Sequence, residues 1–177
     1  MNLQSNDFDL FGLPQRFVQD PAAIDARWKD LQRQAHPDRF AADGAAAQRV
    51  AMQWSVRINE AYRRLKDPLQ RAAYLCELRG APIEAERNTS MPAEFLMEQM
   101  AWREALDEAT TPAELDALAT ELDTTRTRAL ERVATLLDTQ GDAQAAAQQV
   151  RALMFIERFG KDVEARTDRL EAGAERQ

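Results

Sequence analysis

The chain is poor in the residues that staple a fold or hold a metal: its 177 residues include one cysteine, Cys76, and one histidine, His36. A lone cysteine closes no disulfide within the chain, and one cysteine with one histidine falls short of a four-ligand zinc site. Structural zinc and disulfide stapling are thereby excluded. Glycine and proline are sparse, at six and seven residues, whereas Ala, Leu, Glu, Gln and Arg, the strong helix formers, dominate. Collagen-like and disordered classes are thereby excluded, and an all-α fold is expected. No stretch approaches about 18 uncharged apolar residues, so no membrane span is predicted. The first residues, 1–7, show no basic segment leading into an apolar run, which points to a soluble, cytoplasmic protein.

What is present is unevenly charged. Residues 1–80 carry 12 Lys and Arg against 10 Asp and Glu, a balance of +2, and residues 81–177 carry 11 against 20, a balance of −9. The asymmetry predicts two domains with different partners. A surplus of +2 is weak support for a nucleic-acid surface, and no nucleic-acid partner is expected. Apolar periodicity lapses in Gly80-Ala81-Pro82, and turn formers continue to Ser90. The expected organisation is therefore a domain over 1–80, a linker over 81–91 and a second domain over 92–177.

Helix signals recur along the whole chain. A short helix over Phe8 to Phe11 ends at Gly12 and Pro14. Asp20 and Pro21 open a second, with Ile24, Trp28, Leu31 and Ala35 at helical spacing before Pro37 stops it. A third, over Ala45 to Lys66, sets Val50, Trp54, Ile58, Ala61 and Leu65 on one stripe, so that the second and third pack antiparallel around Trp28 and Trp54. Asp67-Pro68 begins a fourth that runs to Arg79. In the acidic half Ser90-Met91-Pro92 opens a helix to about Ala109, and Thr111-Pro112-Ala113-Glu114 has the capping-box pattern for one reaching about Asp138. Asp142 caps a last helix to around Leu170, with 171–177 frayed. The second domain is thus expected to be a three-helix bundle.

His36-Pro37-Asp38 stands where the second helix gives way to a loop. Proline disfavours helix in the residue before it and supplies no N–H, which holds His36 and Asp38 outward. Asp38 is then able to accept charge-assisted bonds from an arginine of another protein. Read as chemistry, His36, Asp38 and Cys76 suggest base, orienter and nucleophile. Cys76 however lies among Ala73, Tyr74, Leu75 and Leu78, surroundings typical of an inert thiol. No glycine-rich phosphate loop of the GxxxxGK[ST] type is present, so any ATP chemistry resides in a partner and the chain is not expected to be an enzyme.

On the helix from Pro92, an advance of about 100° per residue puts Phe95, Trp102 and Leu106 on one stripe. Leu96, Met97 and Met100 fall roughly 100° to 200° away, beside Glu104 and Asp107. Methionines next to acids suit a surface that accepts a partner, although a neighbouring helix or the first domain is an alternative cover. Phe155 on the last helix points away from Val150 and Leu153, and either joins that exposed patch or packs, with Phe159, on an adjacent helix.

His36-Pro37-Asp38, with Lys29, Arg33 and Arg39 around it and Ile58-Asn59-Glu60-Ala61-Tyr62 on the third helix, resembles the J domain, a helical module that docks on DnaK-class chaperones. Leu10-Phe11-Gly12-Leu13-Pro14, Leu31 to Phe40, Asp67 to Leu75 and Phe95-Leu96-Met97-Glu98-Gln99-Met100 extend the resemblance to nearly the whole chain. The family is HscB, the J-domain co-chaperones of bacterial iron-sulfur cluster assembly. The resemblance implies an antiparallel hairpin with flanking short helices, joined to a C-terminal bundle. It further implies that His36, Pro37, Asp38, Lys29, Arg33 and Arg39, with Asn59 and Arg63 in support, meet the chaperone HscA and stimulate its ATP hydrolysis. Leu96, Met97, Met100, Glu104 and Phe155 would bind the scaffold protein IscU, on which clusters would be assembled, so the resemblance implies no metal or cofactor bound to this chain. A J protein of the same architecture with another client is the alternative. Two departures stand out: Ala35 where J domains usually have tyrosine before the histidine, and Ala101 where the family commonly has an acid.

Overall fold

The computed structural model describes residues 2–177; Met1, the first position of the expected first domain, lies outside them. The chain divides into two compact units, Met1–Leu75 and Cys76–Gln177. The division falls a few residues before the expected boundary, inside the fourth helix.

The first unit opens with α1 (Asp7–Phe11), capped by Asn6, whose side chain accepts the Asp9 N–H at 2.9 Å. Gly12 ends it at φ 62°, a left-handed conformation that favours glycine. α2 (Pro21–Ala35) is capped by Asp20 and has its proline in the first turn, as the sequence predicts. A single 3-10 stretch, Pro37–Asp43, leads to α3 (Ala45–Lys66), and α4 (Pro68–Leu78) follows. Phe8, Phe11, Ile24, Leu31, Ile58, Leu65, Ala72 and Leu75 fill the core. The α3 stripe differs from expectation: Val50 is half-exposed, and Ala51, one position on, is buried. One residue is about 100° of helix rotation, enough to move a side chain from core to water. Nor does Trp28 meet Trp54. Its ring stacks on Tyr62 at 4.6 Å, and its indole N–H donates to Asn59 Oδ1 at 2.9 Å.

The second unit holds α5 (Ala93–Glu108), α6 (Pro112–Ala134) and α7 (Ala143–Ala174). The capping box forms: Thr111 Oγ1 accepts the Glu114 N–H, and Glu114 Oε2 accepts those of Thr110 (2.7 Å) and Thr111 (3.2 Å). α6 ends in one wider turn, Thr135–Thr139, instead of running on as α-helix to Asp138. α7 stays helical through most of the segment expected to fray. Four rings tie α5 to α7: Phe95 meets Trp102 and Phe155 edge-to-face at 5.6 and 5.7 Å, while Phe159 stacks on Phe155 and Trp102. Leu115, Leu118 and Leu122 of α6 complete this core. Residues 81–91 are no free tether. Ala81 and Ile83 are buried, and three carbonyls of the segment accept from Arg151 of α7. Among the described residues no helix is long and apolar enough to cross a membrane.

Candidate functional site

Two surfaces, one on each unit, carry the residues singled out by sequence. The first is the turn after α2. Ala35 is the last buried residue of the helix; His36 is then extended, at φ −63° and ψ 128°, as the following proline demands. His36 Nδ1 accepts the Asp38 N–H at 3.2 Å and lies 3.6 Å from Asp38 Oδ2. The side chains are 58% and 92% exposed, so the loop presents both to solvent. Arg39 locks the turn from below, its backbone N–H bonded to the His36 carbonyl at 3.0 Å and its guanidinium to the Arg33 carbonyl at 3.1 Å. Gln32, Arg33, His36 and Arg39 line one shallow hollow. Lys29, exposed, stands one turn before Arg33, which pairs with Asp30. The expected residues Lys29, Arg33, His36, Pro37, Asp38 and Arg39 therefore share one end of α2.

Asn59 takes another part. Its Oδ1 is engaged from both sides, by Trp28 Nε1 at 2.9 Å and Gln32 Nε2 at 2.7 Å, and so staples α3 to α2. Arg63, one turn further along α3, is exposed. Gln32 is the residue that sequence reasoning missed: it bonds Asn59 and the Ser55 hydroxyl while lining the hollow beside His36. Its spacing of four from His36 was the only signal available. A second strap lies nearby, where Asp25 Oδ1 accepts from Tyr62 Oη at 2.7 Å and Lys66 Nζ at 2.6 Å. The Lys66 bond, then the Tyr62 bond, hold the Asp25 carboxyl below its ordinary range and raise both partners.

The second surface is the outer side of α5. Phe95 and Trp102 bury the inner stripe, and Leu96, Met97 and Met100 are 47%, 77% and 74% exposed on the other side. Glu104 and Asp107 are exposed on the same face. The periodicity therefore placed Leu96, Met97, Met100 and Glu104 correctly as surface residues. Of the two placements open to Phe155, the exposed one fails and the packed one holds: it is 9% exposed, between Phe95 and Phe159. Over its ring, 5.5 Å from the centroid, sits the guanidinium of Arg103, a neighbour of Leu96 around the α5 circumference. Phe155 thus supports the rim of the patch from beneath.

Cys76 is fully buried, and burial pushes its thiol up to about 11, which leaves it protonated at neutral pH. Among the described residues no group of three His, Cys, Asp or Glu is placed to hold a metal ion.

The comparisons with known proteins agree with one another. The family described as the HSCB C-terminal oligomerisation domain matches residues 91–164. Co-chaperone protein HscB homologs of Burkholderia multivorans and Burkholderia vietnamiensis are 53% and 52% identical over 174 residues, covering 97% of this chain and 99% of each relative. Among solved structures, chaperone HscB from Vibrio cholerae aligns with a TM-score of 0.78 at 36% identity, over 94% of this chain and 99% of its own. Human co-chaperone protein HscB shares the fold, with a TM-score of 0.83 at 24% identity, covering 93% of this chain and 83% of its own.

Proposed function

Since the chain belongs to the HscB family of co-chaperones, we propose that it is the adaptor of iron-sulfur cluster maturation that brings the scaffold protein IscU to the DnaK-class chaperone HscA and stimulates HscA's ATP hydrolysis, working in the cytoplasm. The observation that carries this reading is the pairing, on one chain, of an exposed His36-Pro37-Asp38 turn with an exposed apolar face rimmed by acids on α5. A turn with a free carboxylate beside basic α2 residues suits docking on an ATPase domain through an arginine. The α5 face, flexible and apolar at Met97 and Met100 with Glu104 beside them, suits a folded client with a complementary basic-apolar patch.

The mechanism is differential binding. Docking of the turn favours the chaperone state that hydrolyses ATP, and a partner shifts an equilibrium only by its unequal affinity for the two states. Leu96, Met97, Met100 and Glu104 contact the scaffold, with Phe155 beneath Arg103 shaping the rim.

Single-turnover ATP hydrolysis by HscA, with this chain and IscU added separately and together, tests the reading. More-than-additive stimulation, lost in Asp38→Asn and reduced to the scaffold-free level in Leu96→Ser with Met100→Ser, is the expected result. Stimulation that ignores IscU assigns another client to the same architecture, and none at all removes the chaperone reading.

A further inference from the structure

The helix that presents the client face has no cap of its own. Pro92 precedes its first turn without any side-chain hydrogen bond, whereas Asn6, Asp20, Thr111 and Asp142 cap their helices. A helix start left in this way frays unless something outside it fixes the chain. The fixing group is on α7. Arg151 is 4% exposed, and all three of its nitrogens are spent on main-chain oxygens of the preceding segment: Nε on Ile83 at 3.0 Å, Nη1 on Ser90 at 3.1 Å and Nη2 on Pro82 at 3.4 Å. A buried guanidinium satisfied by carbonyls in place of a carboxylate is costly, and its planar fork is the one side chain that reaches three acceptors in fixed directions. The segment it holds is otherwise strained. Glu84 adopts φ 44°, a conformation that a non-glycine residue keeps only where its surroundings impose it.

We propose that Arg151 is a positioning residue for the client face: by clamping both ends of the 82–90 segment it sets where α5 begins, and so the rotation at which Leu96, Met97 and Met100 face outward. Phe95 and Met91 seat on the core immediately after the clamp, and Gln99 Nε2 reaches back to Met91 Sδ at 3.5 Å, so the setting passes directly into the helix. Truncating Arg151 leaves the carbonyl of buried Ile83 without its donor and frees those of exposed Pro82 and Ser90 to turn to water, so the segment loses the one group that ties its two ends together. The proposal rests on the reading of α5 as the client helix, and the test separates the two.

Amide hydrogen exchange of the full chain, resolved by peptide, is compared for the wild type, Arg151→Met and Arg151→Lys, alongside IscU affinity and HscA stimulation without IscU. In Arg151→Met, exchange over 81–97 accelerates at least about tenfold while α6 and the rest of α7 keep their protection, and IscU binds roughly tenfold more weakly. Stimulation without IscU is unchanged, and Arg151→Lys, which keeps charge and fewer bonds, falls between. Unchanged exchange at 93–97, or an equal rise through α6 and α7, overturns the proposal. If the wild-type chain does not bind IscU, the client reading is what fails, and the exchange pattern alone decides whether Arg151 sets α5.

Discussion

Asp7 shows how much of a small unit can hang on one side chain. It is fully buried at the start of a five-residue helix, too short to persist alone; it accepts from Arg64 at 2.6 and 2.9 Å and forms an ion pair with Arg57, whose Nη1 lies 2.7 Å away. Its own N–H donates to Tyr74 Oη at 3.0 Å, and Arg57 also bonds the carbonyls of Leu3 and Ser5. Asp7→Ala strands two arginines and lets α1 go, and we expect a loss of about 3 kcal/mol in urea unfolding. Cys76 makes the opposite kind of prediction. A buried thiol raised to about 11 reacts at neutral pH only when its surroundings open, so labelling by a thiol reagent is expected at least about 100-fold slower in the native chain than after denaturation. The strap of Asp25, Tyr62 and Lys66 is pH-bounded on both sides. Asp25 is lowered in the fold, so its contribution is present above the ordinary carboxylate pKa, about 4, and is lost as pH falls through the folded value. Lys66 and Tyr62 are raised, so theirs is present below their ordinary values, about 10, and is lost as pH rises through the folded ones. The stability gap between wild type and Asp25→Asn is therefore expected to be flat between about pH 5 and 9, closing below and above, in urea midpoints measured across pH.

At the scale of elements, what the sequence announces is local. Asp20 with Pro21 and Thr111 with Glu114 name their helix starts because cap and capped group lie within a few residues. Leu96, Met97 and Met100 were legible because helix rotation alone takes them off the Phe95 stripe. What was not legible depends on partners far along the chain. The substitution of Ala51 for Val50 as the buried residue of α3 turns on 100° of rotation, and an alanine gives no hydropathy signal strong enough to fix it. Periodicity leaves Phe155 between patch and core because it knows only its own helix, whereas its burial is made by Phe95 of α5 and by the arginine above it. Residues 81–91 read as a linker because their anchor is Arg151, whose partners are main-chain carbonyls and leave no trace in residue type. The Phe155 correction has a measurable form. Phe155→Ala is expected to destabilise the second unit by about 3 kcal/mol and to weaken scaffold binding, whereas Met97→Ala, 77% exposed, weakens binding with little change in stability; calorimetric unfolding beside binding titrations tells the two roles apart.

For the whole molecule the question is why both surfaces belong to one chain. On the proposed reading, the charge division, +2 over 1–80 against −9 over 81–177, would keep the two docking events chemically distinct. Joining them would make the second encounter intramolecular: under the proposed function, a scaffold held on α5 would meet the chaperone at an effective concentration of order millimolar, however dilute the free partners are. A consequence follows that needs no truncated chain. Asp38→Asn keeps the α5 face and loses the turn, while Leu96→Ser with Met100→Ser keeps the turn and loses the face. Mixed at micromolar concentration, each variant supplies what the other lacks, yet no single chain carries both. If delivery depends on the shared chain, the mixture stimulates HscA with IscU no more than the α5 variant does alone, and only wild type shows the more-than-additive rate. Full recovery by the mixture would mean that the surfaces act independently and that the link between them contributes nothing to delivery.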